Sequence, residues 1–391
     1  MTGPGNLVHR PVRRTGGGSN NERQVTVRKV LTALGVVLTL VVSTLAVTPT
    51  AATAGTKPPT KPPVTNPEVK AADAFQPRQA RKDAVKHGRI GLPTWTGSFE
   101  QNGSTYPYTM VGTDPAAGSA TTRVRTRILP LRLTFSDGIT LDGTDDVQAT
   151  RLSPIFKNAD YRSGRSQYGD AMQRASFWDK VSTVSPRYHV LLSQPEVLNT
   201  ISVDVPAGGG SATQGPNGPQ GTVSTAFLLT LLPQLSAYYD PSSLLIILVK
   251  DVRGPDFLGF HFSFTPPNRT EPMTFIFTGY FTPNVITAPS RADTYVLSHE
   301  VQEWINDPYV TNTVPDWIAP GNGTTCFNNI LEVGDAVEFL PTASFPVRSA
   351  GRTYNVTDVA GISWFAHDVP SRELGGAYSY AGNLTTYSTL C

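Results

Sequence analysis

The chain has 391 residues, of which only 16% are charged, with 34 glycines and 33 prolines. That length accommodates one large or two ordinary domains, and such punctuation points to turns and loops around a mixed core and excludes a long-helix protein. Formal net charge is +2, but residues 1–54 hold six Lys/Arg and one Glu; the remainder carries 26 basic against 29 acidic side chains and has no electrostatic footprint for nucleic acid.

The amino terminus reads as a secretory leader. Arg10, Arg13, Arg14, Arg23, Arg28 and Lys29 precede an apolar run from Val30 to Val47, and Ala52-Thr-Ala54 supplies a small-x-small cleavage signal. Cleavage after Ala54 places the mature chain outside the cell, secreted or wall-associated, with no stable membrane span. The alternative is an uncleaved anchor, because the run is near the minimum spanning length. Residues 55–90 begin with Thr-Lys-Pro-Pro repeats, which stiffen into an extended spacer, and continue as a polar segment. The folded domain is expected over residues 91–391.

Within it, Arg125–Phe135 reads as a strand, and Pro130 suggests an edge or a bulge. Asp137, Asp142, Asp145 and Asp146 follow a Ser-Asp-Gly turn; their spacing fits no calcium loop and reads as turn chemistry. Asp170–Trp178 is expected to be helical and Tyr188–Leu192 a strand, with His189 a satisfied structural histidine. Residues 206–222 are rich in Gly, Pro, Ser and Gln and read as a mobile surface loop. Gly208-Gly-Gly210 lacks the Lys-Ser/Thr of a phosphate loop. Thr222–Tyr239 reads as a buried helix interrupted near Pro233, and Leu244–Lys250 as a central strand. Met273–Phe281 alternates as a further strand. Past residue 335 the chain reads as loop and strand, including Ile362–His367. With no regular βαβ rhythm, the class is α+β.

The stretch that carries chemistry is Tyr295–Pro308. Leu297, Val301, Trp304 and Ile305 recur at helical spacing, Asp293 stands where a cap is needed, and Pro308 marks the end. His299 and Glu303, four apart, sit on one face with Glu300 on the adjoining flank and the wet side of the helix beneath them. This is the geometry of the His-Glu-x-x-His helix of zinc proteases, with Glu303 in place of the second histidine. A third ligand is available in Leu331-Glu-Val-Gly-Asp335, where Glu332 or Asp335 can return to the same face after a Gly/Asn/Thr-rich turn. A carboxylate ligand weakens the Lewis acidity of zinc and makes Mn²⁺ or Ca²⁺ competitive. Such a site would serve a hydrolase acting on an extracellular peptide or polymer. The rival readings are a non-catalytic surface- or polymer-binding domain with a structural ion, and a glycosidase in which Glu300 and Glu332 flank a sugar. Cys326 and Cys391, the only cysteines, are expected to form a disulfide worth about 4 kcal/mol in the chain-entropy picture.

Tyr168–Trp178, Leu297–Trp304, Asn306-Asp-Pro308 and Cys326–Asp335 together resemble a family of secreted bacterial proteins. More distantly, Ser-His-Glu-x-x-Glu with a later Glu-x-Gly-Asp resembles the plant EXORDIUM (phosphate-induced) proteins. The resemblance spans roughly residues 120–391. It implies a zincin-like, metal-binding secreted domain in which His299 and Glu303 are ligands, Glu300 is the catalytic-type carboxylate, and Glu332 with Asp335 form the downstream acidic pair.

Overall fold

The computed structural model describes residues 69–70 and 91–391, apart from 186, 267, 268, 325 and 328. The leader expected over residues 1–54 and all of the spacer except Val69 and Lys70 lie outside the described residues. Helices and strands are interspersed in several sheets, an α+β architecture. In chain order, the elements that position the site begin with a hairpin, β1 (Thr94–Gln101) and β2 (Ser104–Val111). Then follow β3 (Thr121–Phe135), α1 (Tyr168–Ser176), β4 (His189–Leu192) and β5 (Ile201–Val205). Strands β6 (Gly210–Gly215) and β7 (Gly218–Val223) precede α2 (Thr225–Gln234) and β8 (Ser243–Lys250). Strands β9 (Gly259–Phe264) and β10 (Met273–Tyr280) lead to α3 (Tyr295–Asn306). Last come β11 (Ser344–Ser349), β12 (Arg352–Thr357) and α4 (Ile362–Ala366).

The main sheet contains the run β5-β3-β8-β10-β9, in which neighbours are parallel except β9, antiparallel to β10; Val69–Lys70 and Thr140–Asp142 also join it, antiparallel to β5 and to β3. Strand alternation divides the core into two layers. Leu245, Ile247 and Val249 of β8 share one face with Phe260, Phe262, Phe275 and Phe277, and α2 covers them with Phe227, Leu228, Leu231 and Leu232. Leu244, Ile246, Leu248 and Ile276 point the other way, onto Leu297, Val301, Trp304 and Ile305 of α3. Burial on both faces explains the unbroken apolar run of β8. Between Phe260 and Phe262, His261 pairs in register with Ile276 and so lies on the α3 side.

Several expectations are corrected by the packing. Pro130 lies inside the sheet, paired with Leu248, where the other neighbour of β3 changes from Glu196–Val197 to Ile201–Val205; the missing N–H falls at that change of partner, not at an edge. Residues 206–222 are not a loop, because β6 and β7 form a hairpin whose second strand also pairs with Val252–Arg253. Composition misled here because backbone pairing needs no apolar side chains. Ile362–Ala366 is helical and ends at His367 in the left-handed region. Pro233 sits in the last turn of α2, which continues as a 3-10 turn over Ser236–Tyr238.

The polar motifs of the sequence have structural jobs. Asp170 of α1 accepts from Val190 N at 2.7 Å and meets His189 Nδ1 at 2.7 Å, while Gln167 exchanges hydrogen bonds with both backbone groups of Leu192. Together they dock α1 onto β4. At the end of α3, Asp307 accepts from Thr311 N and Asn312 N, and Asn312 bridges to Asn306 O and to both backbone groups of Thr109. Asp137 and Asp142 accept from amides two residues ahead, and Lys250 reaches Asp145 and Asp146, as turn chemistry requires. Cys326 and Cys391 lie at disulfide distance, their sulfurs 2.14 Å apart.

Candidate metal centre

Helix α3 is sandwiched between the sheet and β12. All twelve of its residues are buried, so the wet face expected from its periodicity does not exist. Asp293 does not cap it in the ordinary way. Its backbone is left-handed and its carboxylate binds the backbone and side-chain nitrogens of Asn355, tying β12 to the helix start. Ser298 Oγ accepts from Thr357 N at 2.9 Å one turn further on. Trp304 donates its indole N–H to Thr274 Oγ1 at 2.9 Å and fixes the other flank to β10. The rotation of α3 about its axis is thus set on both sides, which aims His299, Glu300 and Glu303 into protein.

Two clusters of donor atoms result, and Glu303 belongs to both. In the first, His299 Nε2 lies 3.1 Å from Glu303 Oε1 and 3.4 Å from Asp335 Oδ1. In the second, His261 Nδ1 lies 3.5 Å from Glu300 Oε2 and 3.7 Å from Glu303 Oε2. Donors held about 2.1 Å from a tetrahedral zinc are about 3.4 Å from each other. The spacing within each cluster is therefore that of a common ion.

The strand-free stretch before Asp335 is held close by glycine. Gly334 N donates to Glu303 Oε1 at 3.1 Å and Asp335 N to the same atom at 3.3 Å. A Cβ on Gly334 would stand 2.6 Å from the His299 ring, and one on Gly259 would stand 2.7 Å from Val296 and 3.2 Å from Glu300 Oε1. Both backbones must come this near for the clusters to close.

Burial works against every charge here. It raises the Glu300 carboxyl, which contact with His261 pulls back in part. Burial is the largest single influence on Glu303 and acts to raise it, but the charge and hydrogen bond of His299, with His261 and the Asp335 amide, together hold that carboxyl below its ordinary range. His299 would be lowered by burial; Glu303 and then Asp335 drive it well above the usual imidazole value. His261 is raised by Glu300 and Glu303 in the same way, against its burial. Glu332 is pushed well above the carboxylate range by burial, then by Glu303 and Asp335. Glu338 rises to about 7 and Asp307 to about 6, in each case chiefly by burial. The cluster thus gathers more buried carboxylates than the two imidazoles can neutralise, an arrangement that suits a divalent cation.

Of the residues singled out in the sequence, His299, Glu303 and Asp335 come together in one cluster, and Glu300 joins Glu303 in the other. Glu332 is buried in the same acidic surroundings but belongs to neither cluster. His261 escaped sequence reading. Its signal was the alternation Gly259-Phe-His-Phe-Ser-Phe264, a strand whose odd polar residue turns away from the phenylalanine face. No family model, curated protein or solved structure matches the chain.

Proposed function

We propose that the chain is an exported, zincin-like, metal-dependent hydrolase acting on an extended peptide or similar polymer. The observation that carries this reading is the approach of His299 Nε2, Glu303 Oε1 and Asp335 Oδ1 within one ion's reach. His299, Glu303 and Asp335 would hold the ion. Zinc suits the imidazole, and the carboxylates leave Mn²⁺ and Ca²⁺ as competitors. A bound divalent ion would supply an acidified water and polarise the scissile carbonyl. Glu300, beside Glu303 on the helix, takes and returns the proton; its raised affinity for protons, set by burial, suits it to both directions. The Gly334 and Asp335 amides keep Glu303 oriented, as outer-shell donors do for metal-bound carboxylates. Strand β9 is the last strand of the main sheet and stands beside α3, so an extended chain can add to it through backbone hydrogen bonds.

The test is the metal content of purified protein and its action on denatured casein and a mixed peptide library, before and after chelation. Wild type should hold metal and cleave; Glu300→Gln should keep the His299 ion and lose turnover at least a hundredfold. Protein that binds no Zn²⁺, Mn²⁺ or Ca²⁺ would remove the reading. One observation favours the non-catalytic alternative of a structural ion: a cavity of about 190 Å³ opens between Trp95, Tyr108, Phe177 and Arg372, and none of the cluster residues lines it. Bound metal with no cleavage of peptide, ester or glycan substrates would select that alternative.

A further inference from the structure

We infer that the site holds two divalent cations bridged by the Glu303 carboxylate, the second bound by His261, Glu300 and Glu303. This rests on the metal reading above and deepens it: Glu300 would hold the second ion through Oε2, which faces His261, and keep Oε1 for the proton transfer assigned to it. The two clusters are built alike: each has one histidine, one carboxylate of its own, and one oxygen of Glu303. Oε1 faces His299 Nε2, which also meets Asp335 Oδ1, whereas Oε2 faces His261. A carboxylate that offers its two oxygens to separate donor sets is the arrangement that spans paired ions about 3.5–4 Å apart.

His261 supplies the independent observation. It is 3% exposed, comes from a different element, and turns Nδ1 toward two carboxylates, yet neither is nearer than 3.5 Å. Burying an imidazole this way is costly in a purely structural role. An ion between His261 Nδ1, Glu300 Oε2 and Glu303 Oε2 gives that nitrogen a ligand bond where the direct contacts are long. Charge balance agrees. The carboxylates of the two clusters, Glu300, Glu303 and Asp335, carry three formal negative charges when ionised, more than one divalent cation neutralises.

The experiment uses full-length exported protein stripped of metal and titrated separately with Zn²⁺ and Mn²⁺, with bound metal counted by mass spectrometry and the Mn²⁺ form examined by electron paramagnetic resonance. Wild type should bind two equivalents at the site, and the Mn²⁺ spectrum should show spin coupling between neighbouring ions. His261→Ala should lose one equivalent and the coupling while retaining the other ion; His299→Ala should do the reverse. One equivalent in wild type, unchanged in His261→Ala, overturns the second ion and leaves the single-ion reading intact. Two uncoupled equivalents place the second ion elsewhere and also overturn the proposal. No bound metal overturns both. His261→Gln, nearer in size, is the control for folding; if both His261 variants misfold, wild-type stoichiometry and coupling decide alone.

Discussion

The Gly334 amide donates to Glu303 Oε1 at 3.1 Å while the Cα of the same glycine lies against the His299 ring. One residue without a side chain thus orients a carboxylate and abuts an imidazole one helical turn away. Gly334→Ala places a methyl group 2.6 Å from the ring, and the ring or the backbone must move. We expect a loss of about 1–3 kcal/mol in unfolding free energy by urea titration. We also expect at least tenfold weaker Zn²⁺ binding by calorimetry. A variant with unchanged metal affinity would show that Gly334 does not shape the centre.

Metal should stabilise the fold. Zn²⁺ at a hundredfold excess over its dissociation constant adds about 2.7 kcal/mol per site. Melting temperature should rise with added Zn²⁺, fall to the apo value with chelator, and respond less in His299→Ala. An identical melting curve with and without Zn²⁺ would contradict metal binding at the centre.

Trp304 is completely buried and bonded to Thr274. Trp304→Phe keeps most of the packing and loses one hydrogen bond, a cost of about 1–3 kcal/mol. Trp304→Ala should cost about 3–5 kcal/mol. If the aromatic edge also sets helix rotation, Trp304→Ala should weaken metal binding and Trp304→Phe should not. Calorimetric titration of both variants separates the two effects.

Glu373 offers a pH test away from the candidate metal centre. It is buried, accepts from Ser363 N at 3.2 Å, and burial holds its carboxyl well above its ordinary 4.5. The folded state therefore binds its proton more tightly than the unfolded chain does. Its contribution to stability is fully present below about 4.5 and is lost as pH rises through the raised folded value. Glu373→Gln keeps an acceptor and removes the titration. Between pH 4.5 and neutrality its unfolding free energy should fall less steeply than that of wild type; parallel curves would refute the assignment.

Cys391→Ser opens the bond that ties the carboxyl end to the segment leading into Leu331–Asp335. The loss should be about 4 kcal/mol by urea titration. Because Asp335 lies downstream of Cys326, weaker Zn²⁺ binding should accompany it; metal affinity equal to wild type would show that the centre is held without the bond.

Local patterns in the sequence were enough for the elements whose signal is local. Leu244–Lys250 and Met273–Phe281 read as strands because unbroken or alternating apolar residues leave few other ways to bury them, and they are β8 and β10. The helix carrying His299, Glu300 and Glu303 was legible from four apolar positions at 3.6-residue spacing. Asp335 was legible as a candidate because acidic residues after a glycine-rich turn can return to a helix face. The 206–222 hairpin was not, since its stability lies in backbone pairing that composition does not encode. Nor was the burial of the polar face of α3, which depends on β9, β12 and the Gly334 stretch arriving from distant parts of the chain. His261 belongs to the centre only because β9 pairs antiparallel with β10 in a register that sets it beside Ile276, on the α3 side of the sheet. A single residue of slip would have turned it into the phenylalanine layer. The sequence by itself determined that His299 and Glu303 share one helix face; tertiary packing alone decided that Glu303 stands between two histidines, because β9 must bring His261 to the second oxygen of a carboxylate whose first oxygen already faces His299.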